Sequence, residues 1–296
     1  MHTPRPISVL VSIAAAIVVA GCGGHAGASA DKPTGLIAFT HQNPSGKDQI
    51  FVMHTDGSGR RALTKQDSLD AVWSPDGTKL AFLDHGQRLV VMNADGGGRR
   101  IVSQERGGLA EDEIASWSPD GTQLAFGAKL DMGPDTLIVV NADGTGKHRL
   151  GAFGFGPDWS PDGKRIVFND HDGLVAVIGV DGRGLHRLTV FGCSSDPPRW
   201  SPDGKKIAVI ASVDCFGTDA PIALINPDGT GMLAVTHAKG YYGAPSWSPD
   251  GRQIVFSRGP ELGAIGNLYV ADADGGHVRQ ITTDGGNFDP SWGQRS

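Results

Sequence analysis

The sequence predicts an all-β chain folded as a six-bladed β-propeller with four-stranded antiparallel blades. Three observations carry this reading. The string WSPDG begins at Trp73, Trp117, Trp159, Trp200 and Trp247, and a degenerate copy, DPSWG, closes the series at Trp292. Successive spacings are 44, 42, 41, 47 and 45 residues, the period of a propeller blade, and all six tryptophans of the chain occupy this one position. A second motif alternates with the first: HTDG (54–57), NADG (93–96), NADG (141–144), GVDG (179–182), NPDG (226–229) and DADG (272–275). Beyond the N-terminal leader there is no amphipathic helical period of about 12 residues or more, which excludes helical repeat arrays.

Each unit reads as four short strands. Trp lies on the first. SPDG then turns the chain into the second, an apolar run such as LAF (80–82, 124–126) or IVF (166–168, 254–256). A variable loop leads to the third (LVVM 89–92, LIVV 137–140), and the DG turn leads to the fourth (RALT 61–64, HRLT 186–189, RQIT 279–282). Asp-Gly suits a tight hairpin because Gly accepts positive φ, and Pro pre-sets φ in SPDG while being unable to continue a ladder. The phase of the repeat predicts ring closure. The first unit (LIAF 36–39, IFVM 50–53, RALT 61–64) lacks a Trp strand, and the last Trp strand has only four residues after it. Pairing the two gives six blades and removes the open ends. The expected boundaries are a leader at 1–21, a flexible tether at 22–35, the propeller at 36–292 and a tail at 293–296.

A net charge of −6 argues against binding a phosphate backbone, so no nucleic-acid partner is expected. Three cysteines, none in CxxC spacing, exclude a structural zinc site. At the N-terminus Arg5 precedes a 14-residue apolar stretch, 7–20, suited to a signal-peptide core. It runs into Val19-Ala20-Gly21-Cys22, which resembles the bacterial lipobox. The resemblance implies export, lipidation of Cys22 and a protein anchored to a bacterial membrane by lipid alone, facing periplasm or cell exterior. An oxidising compartment then favours a disulfide between Cys193 and Cys215. The hairpin at 201–204 sets Trp200 opposite Ile207 and brings both thiols to one face.

The WSPDGxxLAF and VxNxDGxxxxLT strings resemble the WD40-like PD40 repeats of the TolB β-propeller family over residues 36–292. The resemblance implies a propeller with protein partners. It is to the family rather than to TolB itself, because a short tether stands where TolB carries an α/β domain.

An element present in every blade is architecture, so Trp73, Trp117, Trp159, Trp200, Trp247 and Trp292 are assigned to inter-blade packing. DADG at 272–275 is no calcium loop: Val270 and Ile281 stand where ligand carboxylates belong. Alternating strands place both turn motifs on one face and the variable loops on the other, and the variable face is the expected binding surface. It carries His41, His85 and His171 after second strands. Asp70, Asp112, Asp196 and Asp289 stand ahead of first strands, with Tyr241, Tyr242, Phe153, Phe155 and Phe288 among glycines. The histidines fall in the first, second and fourth units and do not converge, and no GxSxG, HExxH or P-loop occurs. No catalytic residue, metal or cofactor is therefore expected. The reading is a monomeric, membrane-tethered, non-catalytic scaffold that binds an envelope protein or peptide. The alternative is a polysaccharide-binding protein, or a metal-dependent lyase or hydrolase with its site at the channel mouth, since the resemblance extends to propellers that hold a metal there.

Overall fold

In the computed structural model the chain divides into two units, residues 1–32 and 33–296. The structure describes residues 35–84, 88–104, 114–130, 133–192, 196–211, 220–238, 240–260 and 266–294, all in the second unit. Cys22, His85, Asp112, Cys193 and Cys215 lie outside them, as do the leader and most of the tether.

The described residues form 23 strands and no helix, hence none long and apolar enough to cross a membrane. One sheet contains β1 (Leu36–Gln42), β2 (Asp48–His54) and β3 (Arg61–Ala62). Its fourth strand is β23 (Asn287–Gly293), which pairs antiparallel with β1, Ile37 opposite Trp292 and His41 opposite Asn287. The second sheet runs β4 (Ser68–Trp73), β5 (Lys79–Asp84), β6 (Arg88–Asn93), β7 (Arg100–Gln104). Two later sheets repeat the meander: β15 (Arg199–Trp200) to β18 (Leu233–Ala234), through β16 (Ile207–Ile210) and β17 (Ile222–Ile225), and β19 (Tyr241–Trp247) to β22 (Arg279–Gln280), through β20 (Gln253–Gly259) and β21 (Asn267–Asp272). Trp200 pairs with Ile207, the register expected from the turn between them.

One feature differs from the expected separate blades. β8 (Ser116–Trp117), β9 (Gln123–Leu130), β10 (Gly133–Asn141), β11 (His148–Trp159), β12 (Arg165–Asp170), β13 (Leu174–Gly179) and β14 (His186–Gly192) form one seven-stranded sheet. Its link is the 12-residue β11, whose first half pairs with β10 (Thr136 opposite Phe153) and whose second half pairs with β12 (Gly154 opposite Asp170). The segment GAFGFG at 151–156 has no polar turn residues. Its glycines take positive φ, so the strand bends from one partner to the other without leaving the ladder.

The WSPDG string folds identically at each clean copy. Ser74 Oγ donates to Asp76 Oδ1 (2.6 Å) and accepts from the Lys79 N–H (2.9 Å), while Asp76 Oδ1 accepts from the Thr78 N–H (3.0 Å). Ser118, Ser160, Ser201 and Ser248 repeat the Ser–Asp pairing. These bonds favour the ionised carboxylate and hold Asp76 down to about 2, with Asp120, Asp162 and Asp203 also lowered by their Ser hydroxyls first. A depressed folded-state pKa contributes stability that is fully present above the ordinary carboxylate value near 3.8 and is lost as pH falls toward 2. Ser74→Ala should raise the Asp76 pKa toward that ordinary value in a carboxyl NMR titration. At neutral pH it should destabilise by about 1 kcal/mol, the net worth of one hydrogen bond.

The core lies between sheets. Along β5, Leu80 and Phe82 join the cluster shared with the β1–β2 sheet, while Ala81 and Leu83 join the one shared with β8–β10, as strand alternation requires. Further clusters join β10 and β11 to β12 and β13, β12 and β13 to β16 and β17, and β16 and β17 to β20 and β21. A sixth packs Val255, Leu268 and Val270 against Ile37, Phe39, Met53 and Trp292, so the last sheet in sequence shares a core with the first. All six tryptophans are buried in these clusters.

Candidate functional site at the loop face

The two turn motifs sit at one end of the strands and the variable loops at the other, as strand alternation dictates. At the loop end the first strand of four repeats breaks register three residues before its Trp, and the residue there takes a left-handed conformation. These residues are Asp70 (φ 58°), Gly156 (φ 60°), Ala244 (φ 44°) and Asp289 (φ 46°). Aspartate tolerates this region better than most residues, whereas Ala244 carries about 1–2 kcal/mol of strain. Bulges of this kind re-aim side chains and cluster beside functional sites.

The bulges are tied across sheets. Asp196 Oδ1 accepts from the Ala244 N–H (2.7 Å), and the Asp196 carbonyl accepts from Asn169 Nδ2 (2.9 Å), so Asp196 joins three repeats. The Asp70 N–H donates to Thr40 Oγ1 (3.2 Å). His41 is half-buried, its Nδ1 3.1 Å from Asn287 Oδ1 and its ring edge-on to Phe51 at 5.2 Å. It therefore braces the β1–β23 pairing rather than standing in solvent. Arg60 braces the same junction, bonding Asp284 (2.5 Å) and Asn287 (3.3 Å) with its guanidinium over the Phe51 ring. Burial would raise the Asp284 pKa, but the Asn287 amide and Arg60 hold it below the ordinary value.

Tyr242 does not belong to an exposed contact surface. It is 7% exposed, packs on Phe256 and donates its hydroxyl to the Ala238 carbonyl (2.5 Å), so it walls the core. Tyr241, Phe288 and Asp289 are half-buried at this end, and Phe153 is 50% exposed on β11. His171 is exposed between Asp170 and Asp172, the one group of three potential metal ligands among the described residues. Arg187 already bonds both carboxylates, Asp170 at 2.5 Å and Asp172 as well, which makes the group an ion-pair network.

Sequence reasoning overlooked the position just before each Trp, occupied by Val72, Ser116, Asp158, Arg199, Ser246 and Ser291. Where it is Ser or Asp, its side chain accepts the backbone N–H of the next repeat's Trp: Ser291 from Trp73, Ser116 from Trp159, Asp158 from Trp200 and Ser246 from Trp292. Where it is Val72 or Arg199, its carbonyl accepts the indole N–H of Trp117 or Trp247 instead. Asp158, Arg199 and Ser246 line a cavity of about 250 Å³ together with Trp73, Trp200, Trp247 and Trp292. Burial raises the Asp158 pKa, opposed by Arg199 at 3.8 Å, the Trp200 N–H and the Ser116 hydroxyl. Aligning the repeats on Trp would have exposed Val72, Asp158 and Arg199 as departures from Ser.

A family model described as the TolB beta propeller domain, PD40, matches residues 71–295. The chain belongs to the TolB β-propeller family. Among solved structures, it resembles TolB from Acinetobacter baumannii with a TM-score of 0.75 and 22% identity, covering 90% of this chain and 68% of that one. A protein from Agrobacterium tumefaciens provisionally assigned as TolB gives a TM-score of 0.67 and 21% identity, over 86% and 91% of the two chains. Oligogalacturonate lyase from Vibrio parahaemolyticus gives 0.58 and 15% identity, over 83% and 79%. No curated protein matches the sequence. At these identities the likeness to solved structures is one of fold, and the family's propeller is what they share with this chain.

Proposed function

We propose that the chain is a six-bladed propeller, tethered to a bacterial membrane through Cys22, whose loop face binds an envelope protein or peptide without catalysis. The count of six is supported by dividing the seven-stranded sheet at β11, each half serving one blade. Ring closure is supported by β23 completing the sheet of β1 and by the core shared between the last and first sheets. The observation that carries the binding face is the row of left-handed bulges at the loop end of four innermost strands. Three of the four, Asp70, Ala244 and Asp289, are not glycine, and non-glycine backbone held at left-handed φ at one level of the ring supports that mouth as a place shaped for more than stability. Non-repeating loops around it supply shape, whereas the repeated turns at the other end supply scaffold. The engagement of Asp170 and Asp172 by Arg187 argues against recruiting that cluster for metal-dependent lyase chemistry. Family membership favours a protein partner by analogy of fold. The propeller is taken as a monomer, and the Cys193–Cys215 disulfide as the clasp of its fifth blade.

The tether and the face are tested separately. Cys22→Ser should abolish incorporation of a labelled lipid precursor and release the protein from the membrane fraction, and labelling that survives would sink the anchor. Tyr241→Ala with His171→Ala should weaken capture of the partner co-purified from native membrane while leaving the melting temperature within a degree or two. Unchanged capture would count against the loop face.

A further inference from the structure

The repeats differ at one position of the turn face. The residue that follows each D-G-x-G turn (D-G-G-H in the last unit, where His277 takes the left-handed place of the second glycine) and leads into the outermost strand is Arg60, Arg99 and Lys147 in the first three units. In the last three it is Leu185, Met232 and Val278. The cationic set is packed or solvated: Arg60 lies over Phe39 and Phe51, Arg99 lies over Phe82, and Lys147 is exposed. The apolar set is left in water, with Leu185 55%, Met232 59% and Val278 48% exposed, and Leu233 beside Met232 is 46% exposed. Single exposed apolar residues are ordinary, but the same position turned apolar in three consecutive repeats, at the same end of the strands, is a surface feature.

We propose that this apolar arc rests on the surface of the bilayer to which the chain is tethered, entering the headgroup region at three points. The inference rests on the anchoring through Cys22 and adds an orientation to it. Two observations select a lipid surface over a protein groove. The three points belong to three separate sheets, so they match a broad plane rather than a single cleft. The chain also enters the fold at this end: Leu36 pairs with His54 and Gly293, and the His54 N–H closes the first DG turn onto Ser58. Only residues 23–34 separate Cys22 from the first described residue, a reach of at most about 47 Å even fully extended. The turn face is thus the end of the disc nearest the anchored Cys22, and the apolar arc adds a contact that orients the disc on the surface to which the lipid already holds it. Asp76, Asp120, Asp162 and Asp203 lie on this same face and stay ionised, which favours a zwitterionic headgroup over an anionic one. This end of the disc therefore faces lipid while the loop face points away, open to its partner.

The test uses the full-length protein, matured and reconstituted in phosphatidylcholine vesicles. A photo-crosslinking residue is placed in turn at Leu185, Met232 and Val278, and at Ser45 on the loop face. Phospholipid adducts are expected from the three rim positions and not from Ser45. With the probe at Leu233, the triple variant Leu185→Asp, Met232→Asp, Val278→Asp should lose the lipid adduct and keep the melting temperature. Protein that floats with the vesicles but gives no lipid adduct from the rim, or gives only adducts between protein copies, overturns the docking and leaves the anchor standing. Protein that does not float at all overturns the anchor, and the docking with it.

Discussion

Deleting residues 287–296 is expected to abolish cooperative folding of the propeller, an effect far beyond that of any loop change of the same length. The deletion removes β23, which pairs with β1 from Leu36 opposite Gly293 to His41 opposite Asn287. It therefore strips an edge from β1 and leaves Ile37, Phe39 and Met53, all buried, without the indole that covers them. Truncating one large buried aromatic costs about 3–5 kcal/mol, and an entire domain is stable by only about 5–15 kcal/mol. Losing the indole, a strand ladder and the bracing of His41 and Arg60 by Asn287 together exceeds that margin. Urea unfolding followed by tryptophan fluorescence and circular dichroism checks it. An exposed-loop deletion of equal length is the control.

The second large effect is at one glycine. Gly229, in the DG turn of the fifth unit, has φ +83°, and a Cβ there would lie 2.1 Å from the Leu188 carbonyl oxygen of the neighbouring sheet. Such a separation is impossible, and the obstacle is backbone, so one sheet must move against the next. Gly229→Ala should cost about 2–5 kcal/mol, combining left-handed strain with overpacking. Gly184 makes the comparison clean: its φ is +70° but nothing lies within 4 Å of its would-be Cβ. Gly184→Ala should therefore cost only the strain, about 1–2 kcal/mol. Equal losses at the two positions would show that inter-sheet contact at the DG turns is unimportant.

The scaffold was legible in the sequence because it repeats. Trp292 without following strands and LIAF at 36–39 without a preceding one announced the β1–β23 pairing, and SPDG dictated the turn that sets Trp200 against Ile207. The union of two sheets through β11 was not legible. GAFGFG at 151–156 has glycines like a loop, and only the register shows them bending a strand. At the candidate site, residue type misled in two directions. Tyr242 and His41 look like surface contacts among glycines and polar loops, yet cross-strand and inter-sheet partners draw both inward. The bulges at Asp70 and Asp289 depend on φ, which Asp permits but does not specify. The apolar arc at Leu185, Met232 and Val278 was present in the repeat alignment throughout. It was hidden by reading the turn face as uniform.

Recognition at the loop face is tested most directly by a photo-crosslinking scan in the native membrane. Probes at the exposed positions Ser45, Gln66, His171 and Thr283 sample the loop end, and probes at Thr78, Thr122, Thr145 and Thr230 sample the turn end. The predicted result is one shared protein adduct from several loop-end probes and none from the turn end. The same protein adduct arising from the turn-end probes, with the loop end silent, would contradict it.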